Sequence, residues 1–194
     1  SCSDNNLTSL DVSTNTALTD LHCTYNQLTI LDVSGATNLL DLSCSDNNLT
    51  SLQLSGNTAL IELDFNRNNL STLDLYQNLN LKYLDCESNQ LSDIDVSQNL
   101  LLEHLWCYDN PIFNLDLSLN ANLNDLNFGD NDSLTQLDLS NNPNLDYVEI
   151  WSCFALNSLD LRNGNNTNIS TLWINNNPNL TCIDVDDSTW SANN

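Results

Sequence analysis

Aromatic and acidic residues gather in the second half of this sequence at a spacing that suits binding. Tyr83, Asp85 and Glu87 occupy alternate positions, and 21 residues later so do His104, Trp106 and Tyr108. Tyr147, Glu149 and Trp151 repeat the pattern, and Trp173 follows one unit further on. Alternation is strand period, so each set points to one side of a sheet. Rings held on a rigid surface beside carboxylates suit either a protein hot spot or a sugar ring. Strands favour Trp and Tyr for their own sake, yet the same slots earlier in the chain hold small and acidic residues such as Asp20, Ser43 and Asp64. The clustering therefore points to a ligand-binding patch of Tyr83, His104, Trp106, Tyr108, Tyr147, Trp151 and Trp173.

A second set of candidates is acidic. Asp11, Asp32, Asp74, Asp95, Asp116, Asp138, Asp160 and Asp184 recur once per unit, with Gln53 the exception. Stacked outward at about 5 Å, such carboxylates repel one another. Two readings are open. Neighbouring hydroxyls such as Ser13, Ser34 and Ser118, with backbone N–H groups and water, can screen them. Alternatively, divalent cations bridge adjacent carboxylates. The D-x-D-x-D-G loop of a strong calcium motif is missing. The densest acidic spot, Asp184, Asp186 and Asp187, is the candidate metal site, with Ca2+ as its ion; no other cofactor is implied.

Seven cysteines add a third chemistry. Cys2, Cys23, Cys44, Cys86 and Cys107 share one inward column with Phe65 and Phe128, so the slot takes an apolar plug. Neighbouring Cα atoms at about 4.8 Å fall within disulfide range, but parallel side chains approach poorly for the bridge dihedral. Buried free thiols are expected. With no C-x-x-C pair, zinc is not. Cys153 and Cys182 stand apart; a bridge between them, or between Cys182 and a cysteine further downstream, is open.

The elements that must carry these residues repeat. Leu18-x-x-Leu21-x-Cys23-x-x-Asn26 and Leu28-x-x-Leu31-x-Val33 form one unit, and both phrases recur about every 21 residues. The leucine and cysteine two apart point the same way, so each phrase predicts a short strand and a turn. The asparagine column Asn5, Asn26, Asn47, Asn68, Asn89, Asn110 and Asn131 can both donate and accept inside those turns. Ten or eleven residues per half-unit leave no room for a helix with two connections. The prediction is two narrow parallel sheets on opposite faces, almost no α-helix, and about nine turns of 21 to 24 residues over 1–186. A tail follows at 187–194, where Trp190 could fold back as a cap. Extra residues at 132–134, after Cys153 and at 162–168 should bulge at turns.

The phrase L-x-x-L-x-[L/C]-x-x-N-x-L resembles the core segment of leucine-rich repeats. The 21-residue unit with a second L-x-x-L-D-[L/V]-x-x-N phrase is similar to the bacterial IRREKO type. Cysteine in the sheet position, as at Cys23, Cys44, Cys86 and Cys107, is similar to the cysteine-ladder repeats of the listerial internalins. The resemblance spans residues 1–186. It implies a leucine-rich repeat solenoid, usually extracellular in bacteria and used for recognition or adhesion.

Charge narrows the partner. Against 26 acidic residues stand three basic ones, for a formal net charge of −23. Nucleic acid and anionic membrane surfaces both demand Lys/Arg clusters, so neither is expected. No apolar run approaches the roughly 20 residues of a membrane span. Without a signal peptide or starting Met, the chain reads as a piece of a longer secreted or cell-surface protein. Catalysis is not expected: His22 and His104 fall four units apart, and no serine or cysteine nucleophile has a histidine beside it. The expectation is a non-catalytic module binding a protein partner through the sheet face. A carbohydrate-binding module on the same aromatics and a structural spacer are the alternatives.

Overall fold

The structure is a computed structural model and describes residues 1–187. Thirteen short parallel strands follow one another: β1 (Ser9–Asp11), β2 (Asp20–His22), β3 (Ile30–Asp32), β4 (Asp41–Ser43), β5 (Glu62–Asp64), β6 (Tyr83–Asp85), β7 (His104–Trp106), β8 (Asp125–Asn127), β9 (Gln136–Asp138), β10 (Tyr147–Trp151), β11 (Ser158–Asp160), β12 (Thr171–Asn175) and β13 (Cys182–Asp184). There is no α-helix among the described residues; a single 3-10 turn, Asn166–Asn168, sits in the insertion after β11. Eight strands form the main sheet in the order β12-β10-β8-β7-β6-β5-β4-β2. Its register is the unit spacing itself: Leu21 pairs with Leu42, then Leu63, Leu84, Leu105 and Leu126. The first unit adds no strand to this sheet and joins it through the Cys2 N–H, which donates to the His22 carbonyl at 2.8 Å.

The core is a stack of identical slots. Leu42, Cys44, Leu49, Leu60, Leu63 and Phe65 are wholly buried, and later turns repeat the set up to the last, where Leu172, Ile174 and Leu180 are only partly covered. Burial at this density makes truncation of one such leucine cost about 2–5 kcal/mol. All seven cysteines are free thiols, and only Cys182 is exposed. Burial pushes the Cys23 thiol up to about 12 and Cys153 up to about 11, which leaves little reactive thiolate.

Beyond each main-sheet strand comes a left-handed residue, followed by a ladder asparagine except at Ser152, where Cys153 follows. Asp46, Arg67, Ser88 and Asp109 have φ between 49° and 55°, and the same position is left-handed in every unit from Asp4 to Asn176. L-residues resist this region, so the next residue must hold the turn. Asn47 does so with both ends of its amide. Its Nδ2 donates to the carbonyls of Cys44 and Ser45 in its own turn and of Cys23 in the previous one. Its Oδ1 accepts the Leu28 N–H at 2.9 Å.

The second face departs from the expectation of a continuous sheet. Strands pair there only at the two ends, as β1-β3 and β13-β11-β9, with one isolated bridge between Asp93 and Asn114. Leu54, Leu75, Val96 and Leu117 still point inward and are buried. A ladder on one face fixes the turn spacing there alone; opposite it, the spacing follows the side chains packed between turns. The second asparagine column shows the same looseness. Asn57, Asn78, Asn99, Asn120 and Asn142 donate to carbonyls of the preceding turn, but their buried Oδ1 atoms accept nothing. The insertion at 162–168 bulges at a turn as expected, and Asn163 carries the column through it by donating to the Asn142 carbonyl. The cap expected of Trp190 lies outside the described residues.

Candidate ligand-binding face

The outward side of the main sheet is built by alternation. With Leu84, Leu105 and Leu126 buried, the residues on either side of them must face out. The register then stacks Tyr83 on His104 and Asp125, and Asp85 on Trp106, Asn127, Glu149 and Trp173. Two ring clusters result. Tyr83 lies 5.5 Å from Trp106, edge to face, and 5.8 Å from His104. Tyr108 and Trp151 lie 5.6 Å apart although two units separate them.

Gly129 explains that reach. It occupies the outward slot between Tyr108 and Trp151, and a Cβ there would come within 2.3 Å of the Trp151 ring. The missing side chain lets Trp151 lie flat across β8 to meet Tyr108. In the sequence the signal is a glycine standing between Tyr108 and Trp151 at the unit spacing. Asp125 also stands outside the predicted patch. It accepts the Trp106 indole N–H at 3.1 Å and stands 3.4 Å from His104 Nδ1, fixing both rings.

The predicted residues divide accordingly. Tyr83, His104 and Trp106 pack as one half-buried ring cluster, and Tyr108 with Trp151 as a second on the same face. The Tyr147 hydroxyl turns instead to Glu149, which pushes its own pKa up to about 12. Trp173 stands at the end of the sheet with 58% of its surface exposed. At the C-terminal acidic spot, the Asp186 carboxylate accepts the Gly164 N–H at 3.0 Å, and Asp184 lies 4.0 Å from Arg162. Among the described residues no three His, Cys, Asp or Glu side chains are grouped to hold a metal ion.

Carboxylates border the rings. Asp85, 4% exposed, accepts from Asn66 Nδ2 at 2.8 Å and from the Glu87 N–H at 3.1 Å. Burial nevertheless outweighs these bonds and pushes its carboxyl up to about 6. Burial, then the Asp85 charge, pushes Glu87 up to about 7, with the Tyr108 phenol against it. Asp64 is raised too, again mainly by burial. The face therefore holds acids that the protein leaves poorly solvated.

A solenoid of this construction, with one buried leucine set per turn and parallel strands stacked along one face, is a leucine-rich-repeat protein. The functional domain of InlJ from Listeria monocytogenes, which includes a cysteine ladder, matches it with 37% identity and a TM-score of 0.82 over 95% of this chain. The chain spans 43% of that domain, less than half its length. An internalin C2 from Listeria monocytogenes matches at 20% identity and TM-score 0.65, over 95% of this chain and 79% of the other. A Leptospira interrogans leucine-rich-repeat protein matches at 20% identity and TM-score 0.63, over 93% and 64%. No protein-family model and no curated protein sequence matches the chain. With turns of about 21 residues and a thiol column under its main sheet, the protein is an internalin-like solenoid of the cysteine-ladder kind. Among the described residues no helix is long and apolar enough to cross a membrane.

Proposed function

We propose that this chain is a non-catalytic recognition module of a secreted or cell-surface protein, and that it binds a protein partner through the outward face of its main sheet. Residues 1–186 act as one repeat domain, and 187–194 are a tail. The observation that carries the reading is the packed ring surface of Tyr83, His104, Trp106, Tyr108 and Trp151, which the core does not use. Interfaces concentrate their binding energy in such aromatic anchors. Tyr147 and Trp173 extend the same face toward its C-terminal end. A carbohydrate is the second reading, favoured by the ring of Trp173, which is open to stacking.

The test replaces Trp106, Tyr108 and Trp151 with Ala and probes arrays of secreted proteins and of glycans with both forms. Protein binding lost by the variant, with unfolding unchanged, supports the reading. Hits on glycans alone favour the carbohydrate module. Protein hits that survive all three substitutions would remove the face from consideration and favour a spacer. Calcium at Asp184, Asp186 and Asp187 is not part of this reading, because among the described residues these side chains are not grouped to hold an ion.

A further inference from the structure

We infer that the partner presents arginine side chains, and that their guanidinium groups seat between the carboxylates Asp85 and Glu87 and the rings of Tyr108 and Trp151. This rests on the proposal that the main-sheet face is the binding surface and names the chemistry that face takes.

Charge complementarity is the first argument. Asp64, Asp85, Glu87 and Asp125 stand within four successive turns around the rings. Lys82 pairs with Glu103 at 2.7 Å and Arg162 with Asp160, away from the rings; Arg67, paired with Asp46 at 3.6 Å, also lies close enough to Asp85, Glu87 and Tyr108 to act on them. Among the described residues no ion pair forms at Asp64, Asp85 or Glu87. The aspartates of the opposite face accept the same kind of N–H bond, Asp95 from Ser97 and Asp116 from Ser118 at 2.9 Å each, but add a serine hydroxyl and stay open to water. On the ring face Asp64, Asp85 and Glu87 thus stand against one nearby arginine, which compensates their charge only in part.

The second argument is shape. The Tyr108–Trp151 pair, inclined at 43° over the floor left by Gly129, offers flat aromatic surface beside Glu87. A guanidinium is planar, weakly hydrated and stacks on such rings while its N–H groups reach carboxylates sideways. A lysine ammonium has the charge without the plane. The third argument is an acceptor. Asn127 lies between Trp106 and Glu149 in the same outward row, and its Oδ1 is shielded from solvent and accepts no hydrogen bond. Donors suit that atom, and Arg supplies five. An anionic partner would meet repulsion here, and a neutral sugar would leave the carboxylates uncompensated.

The probe is a short synthetic peptide with arginine at alternate positions, compared with the same peptide carrying citrulline, which keeps the planar shape and loses the charge. Both are titrated into the whole chain near physiological salt by NMR, read at the four Trp indole signals and the backbone amides. Expected are saturable shifts centred on Trp151, Tyr108 and Glu87, and affinity about tenfold weaker for citrulline. Asp85→Asn with Glu87→Gln should weaken the arginine peptide at least about fivefold, whereas Asp95→Asn with Asp116→Asn should change it less than about twofold. Equal losses in the two double variants would reduce the effect to net charge and overturn the inference. Equal binding of the citrulline peptide would overturn it too. A partner from the arrays that needs Trp106 and Trp151 but is indifferent to Asp85→Asn/Glu87→Gln would leave the ring face standing and remove the arginine. Array binding unaffected by the ring substitutions would remove the face itself.

Discussion

Carboxylates stand outward on both faces of this rod, an aspartate column on one and Asp64, Asp85 and Glu87 among rings on the other, and the two sets behave in opposite ways. On the second face the Ser118 hydroxyl and N–H hold Asp116 below the usual carboxylate range, and the Ser97 hydroxyl and N–H do the same for Asp95. On the main face Asp64, Asp85 and Glu87 are pushed above it, chiefly by burial. Asp85 has the same local bond, from the N–H two residues on. What differs is the neighbourhood. Small residues leave Asp116 in water, whereas Asp85 is covered by its neighbours, with Tyr83 and Trp106 on adjoining positions. A hydrogen bond to a carboxylate contributes about 1.5–3 kcal/mol, and desolvation of a buried charge exceeds that. One face thus accommodates its charge as structure, and the other keeps it poorly solvated.

Four measurements would break or sharpen this contrast. The largest effect is expected at the asparagines. Asn68→Ala removes a side chain that bonds at both ends of its amide, and should cost about 3 kcal/mol in urea unfolding. Asn99→Ala on the second column, whose Oδ1 accepts nothing, should cost about 2 kcal/mol. Equal costs would mean that the two columns do not differ energetically.

Next comes pH. Asp85 and Glu87 titrate near 6 and 7 in the fold, against ordinary values of 3.8 and 4.5. Their folded pKa values are raised, so their contribution to stability is fully present below the ordinary values and is lost as pH rises through 6 and 7. Asp85 accounts for roughly 3 kcal/mol of that loss, and Glu87, discounted for its partial exposure, adds roughly 1 kcal/mol. Asp85→Asn/Glu87→Gln should flatten that part of the curve and stabilise the protein at neutral pH. Parallel curves for the two forms would refute the assignment.

Gly129→Ala is the third. The added methyl meets a tryptophan ring, which can swing, so the cost should stay near 1 kcal/mol. Trp151 should leave Tyr108, seen as a shift in indole fluorescence and as lost binding in any assay that depends on the ring face. Retention of both would mean that the ring pair forms without the glycine. The smallest effect is at Asp116, whose lowered pKa gives stability present above 3.8 and lost as pH falls. Asp116→Asn should cost about 0.5 kcal/mol at neutral pH, opposite in sign to Asp85→Asn. The same sign for both would erase the distinction between the faces.

Much of the fold was legible because one side chain in two must point inward on a strand. That fact alone stacked Tyr83 on His104 and Trp106 on Asn127, and the structure keeps that register. The asparagine column was readable from the amide's double capacity. The left-handed turn was not, since Tyr25 and Arg67 occupy it and neither residue signals positive φ. Nor was the broken second sheet, because period fixes the direction of a side chain and says nothing of the distance between turns. The ring pair across Gly129 escaped for a related reason. Columns order residues by neighbour, whereas a large ring over a glycine skips one.

The ladder asparagine also gives the rod a polarity. Asn47 bonds backward, to Cys23 and Leu28 of the preceding unit, as Asn68 does to Cys44 and Leu49. Through this amide each coil's turn is held by its successor as well as by its own asparagine. Under tension, or in amide exchange, loosening should travel from the C-terminal end toward the N-terminal end, one coil releasing the next, so the two ends of such a rod are mechanically unequal.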